Sequence, residues 1–408
     1  MKIMVLVPDG MADLPLEALE GKTPLEVAKI PHMTNLVKMG QMGLTVTVPE
    51  KYPPASDVGN LSILGYDPEA FYCGRSPLEA ANMGIELQEG DVAFRCNLIT
   101  PSEDTLADFS GGHISSTESK VLIEALDHAL GKDGVRFYPG ISYRHLVVFQ
   151  QRPELLKVRC TPPHDIMGQS MKKHLPKGSE APDLIDLMGR ARQILASHEV
   201  NKVRLDLKEN PANAIWLWGQ GTRPSLPLFR ERFGLEGSMI SAVDLLNGMG
   251  RLMGLSIIKV PGATGYYDTN YQGKAELGIG SLKQKDFIFI HVEAPDEAGH
   301  NGDVLAKIAA LENFDKTIVK SALDFALKEK SWRILLMPDH VTSTQTRTHS
   351  REAVPFVMAG TGIEPGGDTA FSEKAAAESG RFVPKAHEIL DRLVHEAALP
   401  SLKRFQNS

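Results

Sequence analysis

Residues 287–300 read FIFIHVEAPDEAGH. The first six, Phe287–Val292, form a short apolar run rich in aromatic and β-branched side chains, the composition of a buried strand. Asp296 and His300 follow at once, four residues apart. In an open parallel sheet, ligands sit beyond the carboxyl ends of the strands, because loops converge there and the buried strands hold them rigid. A strand that runs straight into an acid and an imidazole therefore predicts an α/β sheet with its chemistry on that edge.

The same design recurs along the chain. Ile3–Val7 leads into Asp9 in VLVPDG, and Ile334–Met337 leads into Asp339 and His340 in ILLMPDH. In TRTHSREAVPFVMAG, His349 falls in the loop shortly before Val354–Met358. Ile215–Trp218 and Ser256–Val260 are further apolar runs, and Ala242–Met253 and Val304–Glu329 have helical patterns. Continuous apolar strands alternating with helices imply a mainly parallel sheet covered on both faces. The middle differs. Val92–Ile99, a short strand near Thr105–Phe109, a helix over Glu118–Leu130 and a strand pair within Val135–Gln150 around a Pro-Gly turn predict a compact α+β unit. The sequence thus divides into a core, 1–86 and 206–408, and an inserted smaller domain, 87–205. The hinges are expected in Gly84–Asp91 and Gly168–Asn213.

Composition narrows the function. A chain of 408 residues suggests two domains or one domain with a large insertion. Its 42% hydrophobic and 23% charged content is that of a soluble globular protein. The net charge of −7, with no Lys/Arg cluster, argues against a nucleic-acid surface, which needs concentrated positive charge. Cys73, Cys96 and Cys160 are odd in number and lack CxxC spacing, so no disulfide framework is expected. The opening MKIMVLVPDGMAD holds an apolar run too short for a signal peptide or a membrane span, so a cytoplasmic location is expected. The polar end, Lys403–Ser408, is expected to fray.

Three carboxylates, Asp9, Asp296 and Asp339, and three imidazoles, His300, His340 and His349, would repel or stay unpaired on one edge unless cations joined them. A lone Asp or His after a strand is ordinarily a cap or turn residue. Four such segments together are not. The mixed donor set suits Mn or Zn, or else Fe or Co, rather than an all-oxygen Mg or Ca site, and it suffices for two ions. Paired ions suit phosphoryl transfer, where charge builds on the attacking and leaving oxygens. In KYPPASDVGNLSILGYDP, Ser56 falls at or near a predicted helix start, where free amides and the helix dipole favour an anionic oxygen. With no nearby His–Asp base, its hydroxyl needs a metal to become nucleophilic. Ser56 could equally be a plain cap. Ser62 is the rival nucleophile but falls inside the predicted helix.

The ordered set Asp9, Ser56, Asp296–His300, Asp339–His340 and His349 resembles the metal and nucleophile pattern of the alkaline phosphatase superfamily. More closely it resembles the cofactor-independent phosphoglycerate mutases in their shorter archaeal and bacterial form. The likeness spans LVPDGMAD, PPASDVGNLSILGYDP, GRSPLEAANMGI, VAFRCNLIT, IWLWGQG, PGATGYYDTNYQGK, VEAPDEAGH, MPDH and THS. In the longer mutases the nucleophile motif reads Ser-Glu-Val-Gly-His, whereas Ser56–Asn60 reads Ser-Asp-Val-Gly-Asn, which favours Ser56 over Ser62 and replaces one imidazole with Asn60. The resemblance implies an alkaline-phosphatase-like three-layer sandwich with an inserted α+β cap. It implies one ion held by Asp9, Ser56, Asp339 and His340, and another by Asp296, His300 and His349. It also implies a phosphate-side histidine at His113 in DFSGGHIS.

The activity so implied interconverts 3-phosphoglycerate and 2-phosphoglycerate through a phosphoserine at Ser56, without 2,3-bisphosphoglycerate. A cap closing on the small phosphorylated acid would keep water from the phosphoserine. Arginines suit carboxylate and phosphate, so Arg75, Arg95, Arg144 and Arg223 are expected substrate contacts, with Lys274 behind them. His164 and His145 read as structural. The rivals are a homoserine-kinase-like phosphotransferase, a metallophosphatase and a binding module stapled by metal. No GxxxxGK[ST] loop or protein-kinase signature is present, and the runs Gly278–Gly280 and Gly360–Gly362 lack a strand-to-helix fingerprint. A structural metal site would use thiolate and imidazole rather than carboxylates with a hydroxyl. Oligomeric state is not legible in the sequence.

Overall fold

The computed structural model describes residues 1–395; the expected frayed tail, Lys403–Ser408, lies outside the described residues. The chain forms two compact units. The first combines Met1–Tyr72 with the chain from Leu226 onward, and the second is Cys73–Ser225. The second unit is wider than 87–205 at both ends. The helix Arg75–Asn82 packs its Ala80 with Leu87, Ala93, Leu146 and Val148, and Ala214–Thr222 pairs with Val92–Ser102.

The first unit is built on an eight-stranded sheet. Its order is Phe382–Val383, Gly40–Thr45, Val354–Gly360, Trp332–Leu336, Lys2–Pro8, Phe287–Val292, Gly237–Ile240 and Ser256–Ile257. The five strands from Trp332–Leu336 to Ser256–Ile257 run parallel, and Val354–Gly360 runs against both its neighbours. The expected parallel direction of Val354–Met358 is therefore corrected. The chain returns to the sheet through the hairpin Val341–Ser343/Thr348–Ser350 with no crossover helix, so the strand enters the opposite way. Ile215–Trp218, expected beside the core strands, belongs to the second unit's antiparallel sheet.

Alternate residues of Lys2–Pro8 face opposite ways, and Ile3, Met4, Val5, Leu6 and Val7 are all fully buried, so both faces of the sheet are covered. Met4 and Leu6 share a core with Leu311, Phe314, Ile318 and Val319. Each such buried side chain contributes about 1.5–3 kcal/mol of hydrophobic stabilisation. Leu311 and Phe314 lie on the helix Val304–Phe314, and Ile318 and Val319 on the π-turn Asp315–Val319 that joins it to the helix Lys320–Ala326. Asp315 uses that turn to accept the N–H groups of His32 and Met33 at the start of the helix Pro31–Lys38.

In the second unit, Val92–Ser102 pairs with Arg144–Phe149 on one side and Ala214–Thr222 on the other, with Thr105–Asp108 and Val135–Ile141 extending the sheet. Helices Ser116–Leu130 and Ala181–Ser197 bury Leu122, Ile123, Leu126, Leu184 and Leu195 in one core with Phe94, Cys96 and Leu98. The Pro139-Gly140 step lies inside the strand Val135–Ile141, at an irregularity in the pairing; the turn itself falls at Ser142, which takes a positive φ of 54°.

Candidate functional site

Three adjacent parallel strands of the first unit, Trp332–Leu336, Lys2–Pro8 and Phe287–Val292, end on one edge and deliver Asp339–His340, Asp9 and Asp296 there. The helix Ala294–Asn301 carries Asp296 in its first turn and His300 in its last. In the hairpin, His349 is paired with Thr342. Ser56 is the first residue of the helix Ser56–Ile63, whose N-cap residue, Ala55, offers no side-chain cap, and Asp57 stands behind it with one carboxylate oxygen accepting the Tyr72 hydroxyl at 2.6 Å. Gly59 lets that helix approach closely: a Cβ there would stand 3.0 Å from Asp339 Cβ. Ser62 is buried, and its hydroxyl donates to Thr47 O at 2.6 Å.

The side chains gather in two groups. Asp9, Asp339 and His340 bring one ligand atom each within 4.8 Å of one another, and so do Asp296, His300 and His349. Ser56 Oγ stands 3.0 Å from His340 Nε2. His300 Nε2 and His349 Nε2 are 2.9 Å apart, and each is 3.3 Å from an oxygen of Asp296. Every ring turns Nδ1 outward: His300 to Arg347 O at 3.1 Å, His349 to Pro54 O at 3.2 Å and His340 to Thr342 Oγ1 at 3.1 Å. Carbonyl oxygens only accept, so Nδ1 carries the proton in His300 and His349, and their Nε2 atoms converge. An imidazole pinned on one nitrogen by a protein acceptor and open on the other is the arrangement that metal-ligating histidines use.

The electrostatics agree with a cation-seeking site. Burial, with repulsion from Asp339 and Asp296, pushes the Asp9 carboxyl well above its ordinary pKa. Burial would also raise Asp296, but hydrogen bonds from His300 and His349 hold it well below. The bond to Asp296 lifts His300 to about 9. Asp9 Oδ1 is buried with no hydrogen-bond partner among the described residues, 3.5 Å from His340 Nε2. A buried carboxylate oxygen without a donor is costly, and a divalent ion would satisfy it. The donor set of each group fits such an ion.

Sequence reasoning missed the groups that hold these ligands. His291, in the middle of an apolar strand, sits with Nε2 3.2 Å from Asp9 Oδ2 and Nδ1 3.2 Å from Glu293 Oε1. A histidine inside FIFIHV was the available signal. Burial would raise Glu293, but the Lys274 ammonium and His291 hold it well below the usual carboxylate range. Lys274, expected behind the substrate arginines, has no exposed surface; its Nζ donates to Glu293 Oε2 at 2.8 Å and His291 O at 2.9 Å. Its charge is spent inside the protein. Asn60 donates to Asp339 Oδ2 at 2.7 Å and to Ser56 O at 2.9 Å, bracing the first group where an imidazole was expected to be lost.

The remaining expected residues lie in the second unit. Arg95 is buried against Trp218, its guanidinium 4.4 Å from the ring, and pairs with Glu79 at 3.1 Å. Its pKa is lowered, chiefly by burial and further by nearby Arg75 and Arg144, so these three positive charges share one region. His164 joins them, edge-on to Trp218, its pKa lowered by burial. His113 is exposed with a positive φ of 49°, in a loop where Asp108 accepts the N–H groups of Ser110 and Gly112. Arg223 is exposed near the end of the unit. His145 is buried, its Nδ1 accepting the Gly140 N–H.

Comparisons with known proteins extend this picture to the whole chain. Residues 37–201 match the family profile of 2,3-bisphosphoglycerate-independent phosphoglycerate mutase. A mutase of that name from Methanothrix thermoacetophila is 48% identical over 97% of this chain and 100% of its own. A second, from Methanothermobacter thermautotrophicus, is 49% identical over 98% of each. Among solved structures, a Pyrococcus horikoshii protein superposes with a TM-score of 0.82 at 28% identity over 96% of each chain. A cofactor-independent phosphoglycerate mutase from Thermoplasma acidophilum gives 0.67 at 25% identity, covering 98% of this chain and 100% of that one. With near-half identity from end to end and the mixed α/β fold shared, the chain belongs to the family of 2,3-bisphosphoglycerate-independent phosphoglycerate mutases.

Proposed function

We propose that this isomerase moves the phosphoryl group between the 3- and 2-positions of glycerate through a phosphoserine at Ser56, with two divalent ions, Mn or Zn, as its cofactors. Asp9, Ser56, Asp339 and His340 would hold one ion, and Asp296, His300 and His349 the other. The observation that carries the reading is the convergence of open imidazole nitrogens and carboxylates around a helix-start hydroxyl, Ser56 Oγ being 3.0 Å from His340 Nε2. The ions supply, when bound, the Lewis acidity that makes a hydroxyl nucleophilic at neutral pH and offsets charge on the phosphoryl oxygens.

The chain's own groups supply the rest. The Ser56 oxygen bonds to phosphorus as the substrate's O3–P bond breaks, leaving glycerate and phosphoserine. The free amides at the start of the helix Ser56–Ile63 are the proposed donors to the transferred oxygens. Glycerate then presents its other hydroxyl, the O2–P bond forms as the Ser56 Oγ–P bond breaks, and the proton of that hydroxyl passes to the Ser56 oxygen. Arg75, Arg95 and Arg144, with His113 and Arg223, are the proposed contacts for the substrate's anionic groups, and the second unit is the proposed cap that excludes water. No helix of the described residues is long and apolar enough to cross a membrane, and we assign the enzyme to the cytoplasm, where its substrate is soluble. The homoserine-kinase and phosphatase readings gain no support from the relatives named above.

Purified protein with Mn²⁺ and 3-phosphoglycerate should form 2-phosphoglycerate without 2,3-bisphosphoglycerate and stop on adding EDTA. Free phosphate as the sole product, or phosphorylated homoserine formed from ATP in place of mutase activity, would overturn the proposal.

A further inference from the structure

We propose that Thr342 is a positioning residue that joins the two ligand groups and sets the tautomer of His340. The inference rests on the two-ion reading above and deepens it. Thr342 is fully buried in the strand Val341–Ser343, and its one hydroxyl touches a ligand from each group. Oγ1 is hydrogen-bonded to Asp296 Oδ1 and lies 3.1 Å from His340 Nδ1. A carboxylate oxygen only accepts, so the hydroxyl proton goes to Asp296. The hydroxyl oxygen is left to accept, so His340 must carry its proton on Nδ1. Nε2 is thereby left open, and it is Nε2 that faces Ser56 Oγ at 3.0 Å and Asp9 Oδ1 at 3.5 Å. Remove the hydroxyl and the ring can place its proton on Nε2, against the cation.

The surroundings permit Thr342 little choice of position. A Cβ on Gly299 would stand 2.6 Å from Thr342 Cγ2, and one on Gly10 would stand 2.7 Å from Asp296 Oδ1, so two glycines make the space for this contact. The Thr342 N–H donates to Ala12 O at 3.2 Å, and Thr342 O accepts from Lys307 Nζ at 2.6 Å. Lys307, itself fully buried, spends its other protons on Ala12 O and Asp13 Oδ2, both on the segment that follows Asp9. Backbone and hydroxyl are thus both anchored between the segments that carry the two groups.

The test uses the full chain stripped with EDTA and titrated with Mn²⁺ by calorimetry, with bound metal counted by elemental analysis. Thr342→Val keeps the shape and removes the hydroxyl; it should weaken both ions by roughly 10- to 100-fold, as loss of a partner to a metal ligand does. Thr342→Ser keeps the hydroxyl and should bind as the parent does. Nitrogen-15 spectra of histidine-labelled, metal-free protein should show His340 protonated on Nδ1 in the parent and shifted towards Nε2 protonation in Thr342→Val. If the valine variant does not fold, Thr342→Ala takes its place. Unchanged affinity at both positions, loss at one position only, or an unchanged tautomer would each overturn the proposal. A parent protein that binds no Mn²⁺ would instead sink the two-ion reading, while the tautomer measurement would still judge Thr342.

Discussion

His300 Nε2 and His349 Nε2 stand 2.9 Å apart, and each ring already directs Nδ1 to a backbone carbonyl. Two imidazole lone pairs at that separation repel, so a positive species must lie between them: the proton that Asp296 draws onto His300, lifting it to about 9, or a metal ion in its place. Asp296, 3.3 Å from both, supplies a negative charge but no proton donor. The arrangement is stable when a divalent ion takes the central place, and replacing Asp296 with Asn or His349 with Ala should remove that ion. Elemental analysis should find roughly one equivalent less metal in each variant, with the circular dichroism of the parent retained. Adding Mn²⁺ at 100 times its Kd should stabilise the parent by about 2.7 kcal/mol per site, read as a rise in Tm. A variant that keeps its full metal content would show that this group is not a metal site.

Ser56→Ala tests the phosphate carrier. The change removes the only hydroxyl within hydrogen-bond reach of His340 Nε2 among the described residues. Mutase activity should fall by roughly 10⁴-fold or more, as removal of a covalent nucleophile does. Mass spectrometry of the parent, quenched during turnover, should find phosphate on the peptide containing Ser56. Transfer surviving in the alanine variant would point to another acceptor.

Gly59→Ala asks how closely the nucleophile must be held. An added Cβ meets Asp339 O at 2.5 Å, a backbone atom that cannot swing aside, so the helix start has to retreat by some tenths of an ångström. That retreat moves Ser56 from its partners, and kcat should drop by roughly 10²-fold, with Mn²⁺ content held by the remaining ligands. Gly280→Ala is the control. Its Cβ would meet nothing within 4 Å in the helix Tyr271–Ser281, so activity should be unchanged and stability up by about 0.5–1 kcal/mol.

Arg95 is the most constrained of the proposed substrate contacts. It is buried on Trp218 beside Glu79, and Arg75 and Arg144 press on its charge. A guanidinium held so firmly loses little freedom on binding an anion. Arg95→Lys should raise KM for 3-phosphoglycerate by roughly tenfold or more while leaving the metal titration untouched. An unchanged KM would assign Arg95 to the packing of its own unit.

What was legible in the sequence follows from what each pattern encodes. Lys2–Pro8, Phe287–Val292 and Trp332–Leu336 were readable because buried parallel strands are continuously apolar, and the acids and imidazoles behind them stand out. The same property hid direction and membership. Val354–Gly360 is as apolar as its neighbours yet antiparallel, and Ile215–Trp218 is as apolar yet part of another sheet. The supporting residues were hidden for a different reason. Thr342, Asn60, Lys307 and Lys274 are unremarkable polar letters whose meaning depends on partners up to several hundred residues away, such as Ala12 for Lys307. Lys274 shows the cost of that blindness: a lysine expected from the sequence behind the substrate arginines is a buried ion pair with Glu293 in the fold.

His145 supplies a pH dependence separate from the metal chemistry. It is buried in the second unit, its Nδ1 accepts the Gly140 N–H at 3.0 Å, and burial depresses its pKa to about 3. The unfolded chain has an ordinary histidine, with a pKa near 6.5. Between those two values the unfolded state binds a proton that the folded state refuses, so lowering the pH favours unfolding. The contribution is therefore fully present above about pH 6.5, is lost as the pH falls towards 3, and reaches about 1.4 kcal/mol per pH unit within the window. Carboxylates titrate in the lower part of the same range, so the quantity to measure is the difference between the parent and His145→Gln. Urea unfolding of the full chain, followed by the fluorescence of Trp216 and Trp218, should show a shallower acid loss in the variant by about one proton between pH 6 and 4.5. Equal slopes in the two proteins would mean that His145 is protonated within the fold, and that the Gly140 contact does not hold it neutral.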